Sequence, residues 1–397
     1  MTYYNVFPYK PDFPILESLE WLTDVLEVRK GQEQRIKIRK YPRKILEWKV
    51  SLDEPIECTR LRALIAGEQD SEFMLPLWEQ NYEGDNSLFV NTAYGSGELF
   101  LNISGECEDT SFYYSGEYVC LYEDSRIFDV CKIDSIISGE MGLAEELQNN
   151  YSEPFYIMPA KRAYLLQEVP YKTYLDDSQT MSLAWTVGLN YGIKPLDLDT
   201  QYKNKDVLVE AYDVDSDAIE KTFNRSLSVV DNNTGAFKVF SRMEWSRQRI
   251  DAISFYIKGR TDIWNFKRWL HKISGKWKSF WLPNHQFEIR PALSIVQQEL
   301  EIQYIGYAQY LMNSPLFKNL MFLKYDGSFE FREIVDAVWD TYENEILYLD
   351  SDIEINVEDI RYICFLGLYR LDTDRIELNW ESKDEVNVKF PVIGVEA

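Results

Sequence analysis

The chain has 397 residues, of which 45% are hydrophobic and 15% aromatic, enough for two or three domains with substantial cores. Its 66 acidic residues outnumber 42 basic ones, and the resulting charge of −24 argues against nucleic-acid binding through a basic face and against docking on an anionic membrane. Five cysteines without a CxxC pair (Cys58, Cys107, Cys120, Cys131, Cys364) argue against a disulfide framework or a zinc knuckle and fit reduced thiols in a cytoplasm.

No stretch reaches the ~18 apolar residues of a membrane span. The opening MTYYNVFPYKPDFP has no charged segment followed by an apolar run, so it does not read as a signal peptide. The expectation is a soluble protein assembled inside a cell.

Residues 1–14 carry Pro8, Pro11 and Pro14 among aromatics and read as an extended arm, lying on its own domain or on a neighbouring subunit. Leu16–Val28 fits a helical turn or an edge strand equally. Between Arg35 and Leu52, Ile36, Ile38, Ile45, Trp48 and Val50 mark half-buried strands by near period-two alternation, with Pro42 at a strand end or edge. Cys58, Leu61, Leu64 and Ile65 then fall on one face of a predicted helix over 56–65. Residues 67–70 close it, and Phe73-Met74-Leu75-Pro76-Leu77-Trp78 restarts a strand. Short strands between turn residues fill 80–135, in the spacing of a small β-barrel or meander. Residues 133–147 read as a hairpin about Ser138-Gly139-Glu140, and strands continue to Val187. A turn-rich connecting segment occupies 188–224.

From about Arg242 to Phe287 the earlier order returns: basic strand, helix (DIWNFKRWLHKI), turn, and an aromatic Leu-Pro strand, Phe280-Trp281-Leu282-Pro283. This recurrence predicts an internal duplication, with related units over 15–187 and 225–397. The expected class is mainly β with a minor α+β character, each unit carrying one helix. Trp78 and Trp281 are expected to anchor the Leu-Pro strands, together with Phe73, Pro76, Phe280 and Pro283.

Motifs for chemistry are scarce. The two histidines, His271 and His285, stand alone, without a His-Glu-x-x-His helix or a Gly-x-Ser-x-Gly elbow. The Asp-rich runs 197–199, 213–217 and 350–352 invite calcium, but 213–224 lacks the Gly and Glu of an EF-hand loop and reads as solvated turn. Carboxylate pairs for glycoside cleavage carry little weight among 66 acids. No catalysis, metal or cofactor is expected. Two basic clusters stand out: Arg35, Lys37, Arg39, Lys40, Arg43 and Lys44, then Arg242, Arg247, Arg249, Lys258 and Arg260. They read either as solvated strand faces or as a basic face that meets an acidic face on a neighbouring subunit. Arg35, Arg39, Arg43, Arg242, Arg247 and Arg249 are the candidates for that contact.

The opening FPYKPDF with LEWLTDVL, the turn GQEQRIKIRKYPR, MLPLW and FWLP behind their helices, VVDNNTG and CFLGLYRLDTDRIELNW together resemble the distal-tail and tail-hub proteins of long-tailed bacteriophages and prophages. The second Leu-Pro departs from the pattern, continuing Asn284-His285-Gln286 in place of a Trp-Gln pair. The resemblance implies a tail-tube-like β-barrel or sandwich with a packed helix and a small accessory β-barrel in each half. It implies a virion structural protein of the tail tip, a ring joining tail tube to hub. Its partners would be itself (a trimer with pseudo-sixfold symmetry, or a hexamer), the tail tube protein and other tail-tip proteins. DNA would pass through the lumen without specific binding, and no membrane would be contacted. The alternative is a carbohydrate- or receptor-binding β module with Tyr113 and Tyr114 exposed in one pocket.

Overall fold

Strands dominate the computed structural model of the chain. It describes residues 5–27, 32–84, 89–90, 99–102, 113–137, 140–166, 168–174, 178–188, 193–212, 219–225, 227–231, 233, 235, 237–241, 245–292, 295, 297–339, 343–353 and 355–396. The protein is mainly β, with two 14-residue α-helices among the described residues.

The first strands are β1 (Asp12–Glu20), β2 (Thr23–Glu27), β3 (Glu33–Lys37) and β4 (Arg43–Leu52), followed by α1 (Pro55–Glu68). Next come β5 (Phe73–Pro76), β6 (Tyr82–Gly84), β7 (Phe89–Val90), β8 (Leu99–Asn102), β9 (Tyr118–Tyr122), β10 (Phe128–Ile137) and β11 (Glu140–Leu143). β12 (Phe155–Leu165), β13 (Tyr171–Thr173) and β14 (Gln179–Val187) follow. The connecting segment holds a short hairpin, β15 (Gln201–Tyr202) and β16 (Lys205–Asp206). Then β17 (Lys221–Asn224), β18 (Leu227–Asp231), β19 (Phe237–Ser241) and β20 (Arg247–Lys258) lead to α2 (Arg260–Ile273). Last are β21 (Ser279–Pro283), β22 (Glu299–Gln303), β23 (Asn319–Lys324), β24 (Phe329–Trp339), β25 (Asn344–Leu349), β26 (Ile360–Leu371), β27 (Arg375–Ser382) and β28 (Glu385–Gly394).

These strands pair antiparallel. Up to residue 187 the order is β4–β14–β12–β5, and β12 also holds β9, which leads on through β10 and β11 to β8. Beyond residue 220 the order is β20–β28–β26–β21, and β26 also holds β23, which leads on through β24 and β25 to β22. Among the described strands, β1 joins the two stretches, lying between β4 and β27.

Local sequence explains each element. In β4 the alternation buries Lys44, Leu46, Trp48 and Val50, so the inward register begins on a lysine. The expected half-buried strands form, with Trp48 and Val50 inward and Ile45 half-buried, but Ile36 and Ile38 are 45% and 59% exposed and do not mark a buried side. Pro55 opens α1 at a position where its missing N–H costs nothing, and Cys58, Leu61 and Ile65 face inward. α2 buries Trp264, Phe266, Trp269, Leu270 and Ile273 and ends on Ser274 in the left-handed region. Gly275 follows with φ +66°, and a Cβ there would sit 2.3 Å from Asp374 Oδ1, so only glycine fits that close approach.

One main core runs through both stretches, taking Leu46, Trp48 and Trp185 from the first and Ile253, Trp269 and Leu378 from the second. Among the described residues three smaller cores sit beside it, one about β9 to β11, one about β22 to β25, and one of Val207, Trp281, Leu366, Leu368 and Val395. From residue 5 onward the N-terminal arm packs on its own chain. Phe7 and Tyr9 are buried, Phe7 N–H donates to Met74 O at 3.1 Å, and Met74 N–H donates to Asn5 O at 2.7 Å. The segment 16–27, open to two readings in the sequence, forms strands β1 and β2. The expected hairpin over 133–147 is present as β10 and β11.

Candidate functional site

The most concentrated chemistry is a buried charge centre where the two stretches meet. β1 and β4 are adjacent, with Leu19 facing Lys44 and Glu17 facing Leu46, so Glu17 and Lys44 both fall in the interior. Lys44 Nζ lies 3.1 Å from Glu17 and 2.6 Å from Glu79, while Lys267 Nζ of α2 lies 2.9 Å from Glu17. Trp380 Nε1–H of β27 donates to Glu17 Oε2 at 3.0 Å. Burial alone would push the Glu17 carboxyl up, but Lys267 and Lys44 outweigh it and hold its pKa down to about 2. Burial likewise opposes the Lys44 ammonium, and two carboxylates more than restore it; Lys267 faces Glu17 with less help, and burial pulls its pKa down. Two cations against two anions leave no net charge in the core, the condition under which buried ions are tolerated.

A second ionic cluster holds the β2–β3 hairpin onto the later strands. Arg370 of β26 grips Glu33 with two hydrogen bonds of 2.7 and 3.0 Å. Arg247 of β20 reaches Glu27 at 2.7 Å and Glu33 at 3.1 Å. Burial raises the Glu33 pKa, and the Arg370 contacts outweigh it and hold the carboxyl below its ordinary value. Asp374 adds backbone contacts: its carboxylate accepts Thr23 N–H at 2.8 Å and Lys276 N–H at 2.9 Å, and its carbonyl accepts Trp21 N–H at 2.8 Å. Lys37 Nζ donates to Ser274 Oγ at 2.8 Å. At the start of α2, Arg260 donates to the carbonyls of Asn81 and Gln80.

The candidate contact arginines therefore divide. Arg247 is buried and paired within the chain, and Arg35 is half-buried beside Glu33, 3.8 Å away. Arg39 donates to the Glu20 and Trp21 carbonyls at 2.7 and 3.3 Å. Arg249 is exposed and meets Asp372 at 3.0 Å, Arg43 is exposed, and Arg242 lies outside the described residues. Phe73, Pro76, Trp78, Phe280, Trp281 and Pro283 are all buried.

His271 is buried edge-on to Trp21, and desolvation pulls its pKa down to about 3. His285 Nδ1 sits 2.9 Å from the Tyr362 hydroxyl. Tyr113 is 6% exposed and belongs to the core beside β9, and Tyr114 is half-buried, so the binding pocket imagined for this pair does not form at Tyr113. The four described cysteines are buried and form no disulfide with one another. No group of three metal-ligating side chains occurs among the described residues, the run 213–217 lying outside them. Asp197 is instead paired with Lys272 at 2.5 Å, and Asp350 accepts the Glu333 N–H at 3.0 Å. No described helix is long and apolar enough to cross a membrane.

Exposed apolar side chains gather on the two hairpins. β2–β3 shows Leu26 and Ile36 on the face turned away from the later strands. β18–β19 shows Leu227, Val229, Val230, Val239 and Phe240, each 47% exposed or more, on both of its faces. Sequence reasoning missed the charge centre and this surface, because both are defined by partners far away in the chain. No protein-family model matches the chain, and a search of curated proteins returns no match.

Proposed function

We propose that the chain is a virion structural protein of a bacteriophage tail tip, forming a ring that joins the tail tube to the distal hub and lines the DNA channel. The observation that carries this reading is the common pairing order, β4–β14–β12–β5 and β20–β28–β26–β21, with α1 or α2 leading into the last strand of each. We read these as two copies of one β unit, each with a packed helix and an accessory barrel-like lobe around its smaller core. Three chains would then present six quasi-equivalent units to a sixfold tube and threefold symmetry to the tip. A hexamer of whole chains is the competing closure.

The charge of −24 supports a channel role, since like charge keeps phosphate from sticking. The interior position of Tyr113 removes support from the carbohydrate-binding alternative. Electron micrographs of the purified protein test the proposal. Closed rings with a central channel are expected; discrete single particles at all protein concentrations, together with retention on a polysaccharide column, would contradict it.

A further inference from the structure

We propose that a second copy of this chain fills the junction left open by β17, β18 and β19, through the same contacts that β1, β2 and β3 make inside the chain. This rests on the ring-forming reading above.

The two sets of strands share one register, β17 matching the last four residues of β1. Glu20 faces Arg43 where β1 meets β4, and Asn224 faces Arg247 where β17 meets β20. The first hairpin pairs Thr23 with Lys37 through Glu27 with Glu33; the second pairs Leu227 with Ser241 through Asp231 with Phe237. Every one of these residues has its counterpart 204 positions further on.

Their surroundings differ. The far edge of β1 is paired with β27, and the first hairpin is docked on Arg370, Asp374 and Ser274. Among the described residues β17 pairs with β20 alone, and Phe223 on it is 59% exposed. A hairpin of two strands with apolar side chains bare on both faces is marginal in water unless something covers it.

The receiving edge is also present. β13 stands to β14 as β27 stands to β28: Tyr171 faces Met181, and Leu378 faces Val388. All three residues of β13 are exposed, and its other edge has no strand among the described residues. Carrying over the internal register, in which Leu16 faces Asn379 and Leu19 faces Ile376, sets Glu220 against Lys172 of the next copy and Phe223 against Val169. The first of these is an opposite-charge cross-strand pair between two exposed residues.

The hairpin chemistry changes in step. Where the first hairpin has Glu33 and Arg35, the second has Phe237 and Val239. Where the later strands offer Arg370, one residue past the Tyr369–Phe280 pair, the earlier ones offer Tyr164, one past the Ala163–Phe73 pair. Tyr164 is 50% exposed, and nearby Leu166 is 39% exposed. An ionic dock inside the chain thus becomes an apolar dock between chains. The contact runs head to tail, the geometry that closes rings.

The test uses two single variants, Phe223→Cys and Val169→Cys, each in a Cys107→Ser background, mixed and mildly oxidised, with native mass measured alongside. The expected result is a disulfide-linked heterodimer that neither variant gives alone, and loss of assembly in Val229→Lys/Val239→Lys while the circular dichroism stays native. Oligomers that form without this cross-link would overturn the proposed junction and leave the ring reading standing. A monomer at every concentration, with no cross-link, would overturn both.

Discussion

Lys267 Nζ sits 2.9 Å from both carboxylate oxygens of Glu17, a residue 250 positions earlier in the chain. The pair ties α2 to β1, the strand that joins the two halves of the sheet network. Replacing Lys267 by Met leaves Glu17 to Lys44, which Glu79 already engages. Breaking one member of a buried ionic set costs about 3–5 kcal/mol. Urea unfolding of Lys267→Met should show a loss of that size, and an unchanged midpoint would contradict the assignment.

Acid should destabilise the fold in two steps. The folded pKa of His271 is pulled down to about 3 by desolvation, so the unfolded state takes up that proton first as pH falls below about 6.5. Glu17, held down to about 2 by its lysines against the effect of burial, stabilises the fold above its ordinary value and loses that contribution as pH falls from there toward 2. Thermal melts from pH 7.5 to 3 should therefore decline from about pH 6.5 and steepen below about 4.5. His285, pulled down to about 4 by desolvation, contributes to the same decline, so His271→Leu should reduce the first decline without abolishing it and leave the second unchanged. A profile unchanged by that substitution would contradict this account of His271.

The Glu33 cluster should fix the first hairpin locally. Glu33→Ala removes one partner of Arg370, which keeps Asp372, and one partner of Arg247, which keeps Glu27. Hydrogen exchange over Glu33–Lys37 should then speed up by at least tenfold while α2 stays protected. Unchanged exchange in the hairpin would show that it is held by other contacts.

Arg43 holds the place in β4 that Arg247 holds in β20, and it is exposed. Arg43→Glu should leave the melting temperature of the monomer within a degree or two, as surface changes usually do, and weaken assembly. Arg39→Glu should cost stability as well, because Arg39 carries hydrogen bonds to the Glu20 and Trp21 carbonyls. Normal assembly by the Arg43 variant would exclude that face from the contact.

Much of the fold was legible where signals are local. The face of α1 through Cys58, Leu61 and Ile65, the hairpin of β10 and β11, and the buried Leu-Pro strands follow from periodicity and turn residues within a short window. The charge centre was not legible, because Lys44 sits in a basic run that reads as solvated, and its carboxylate partners lie on other elements. The same holds for Arg35 and Arg247: each falls in a separate basic cluster of the sequence, yet Glu33 lies between them. Period-two patterning names a strand but not its neighbour, so nothing in the sequence of β1 announces that β27 lies along its edge.

The central claim, a chain that assembles head to tail into a ring, is tested most directly by native mass from light scattering after size exclusion, across a salt and concentration series. The account predicts a closed oligomer, a trimer under the pseudo-sixfold arrangement or a hexamer under the simpler one. Because the proposed dock is largely apolar, that oligomer should persist at high salt. A monomeric mass at every salt and concentration would contradict it.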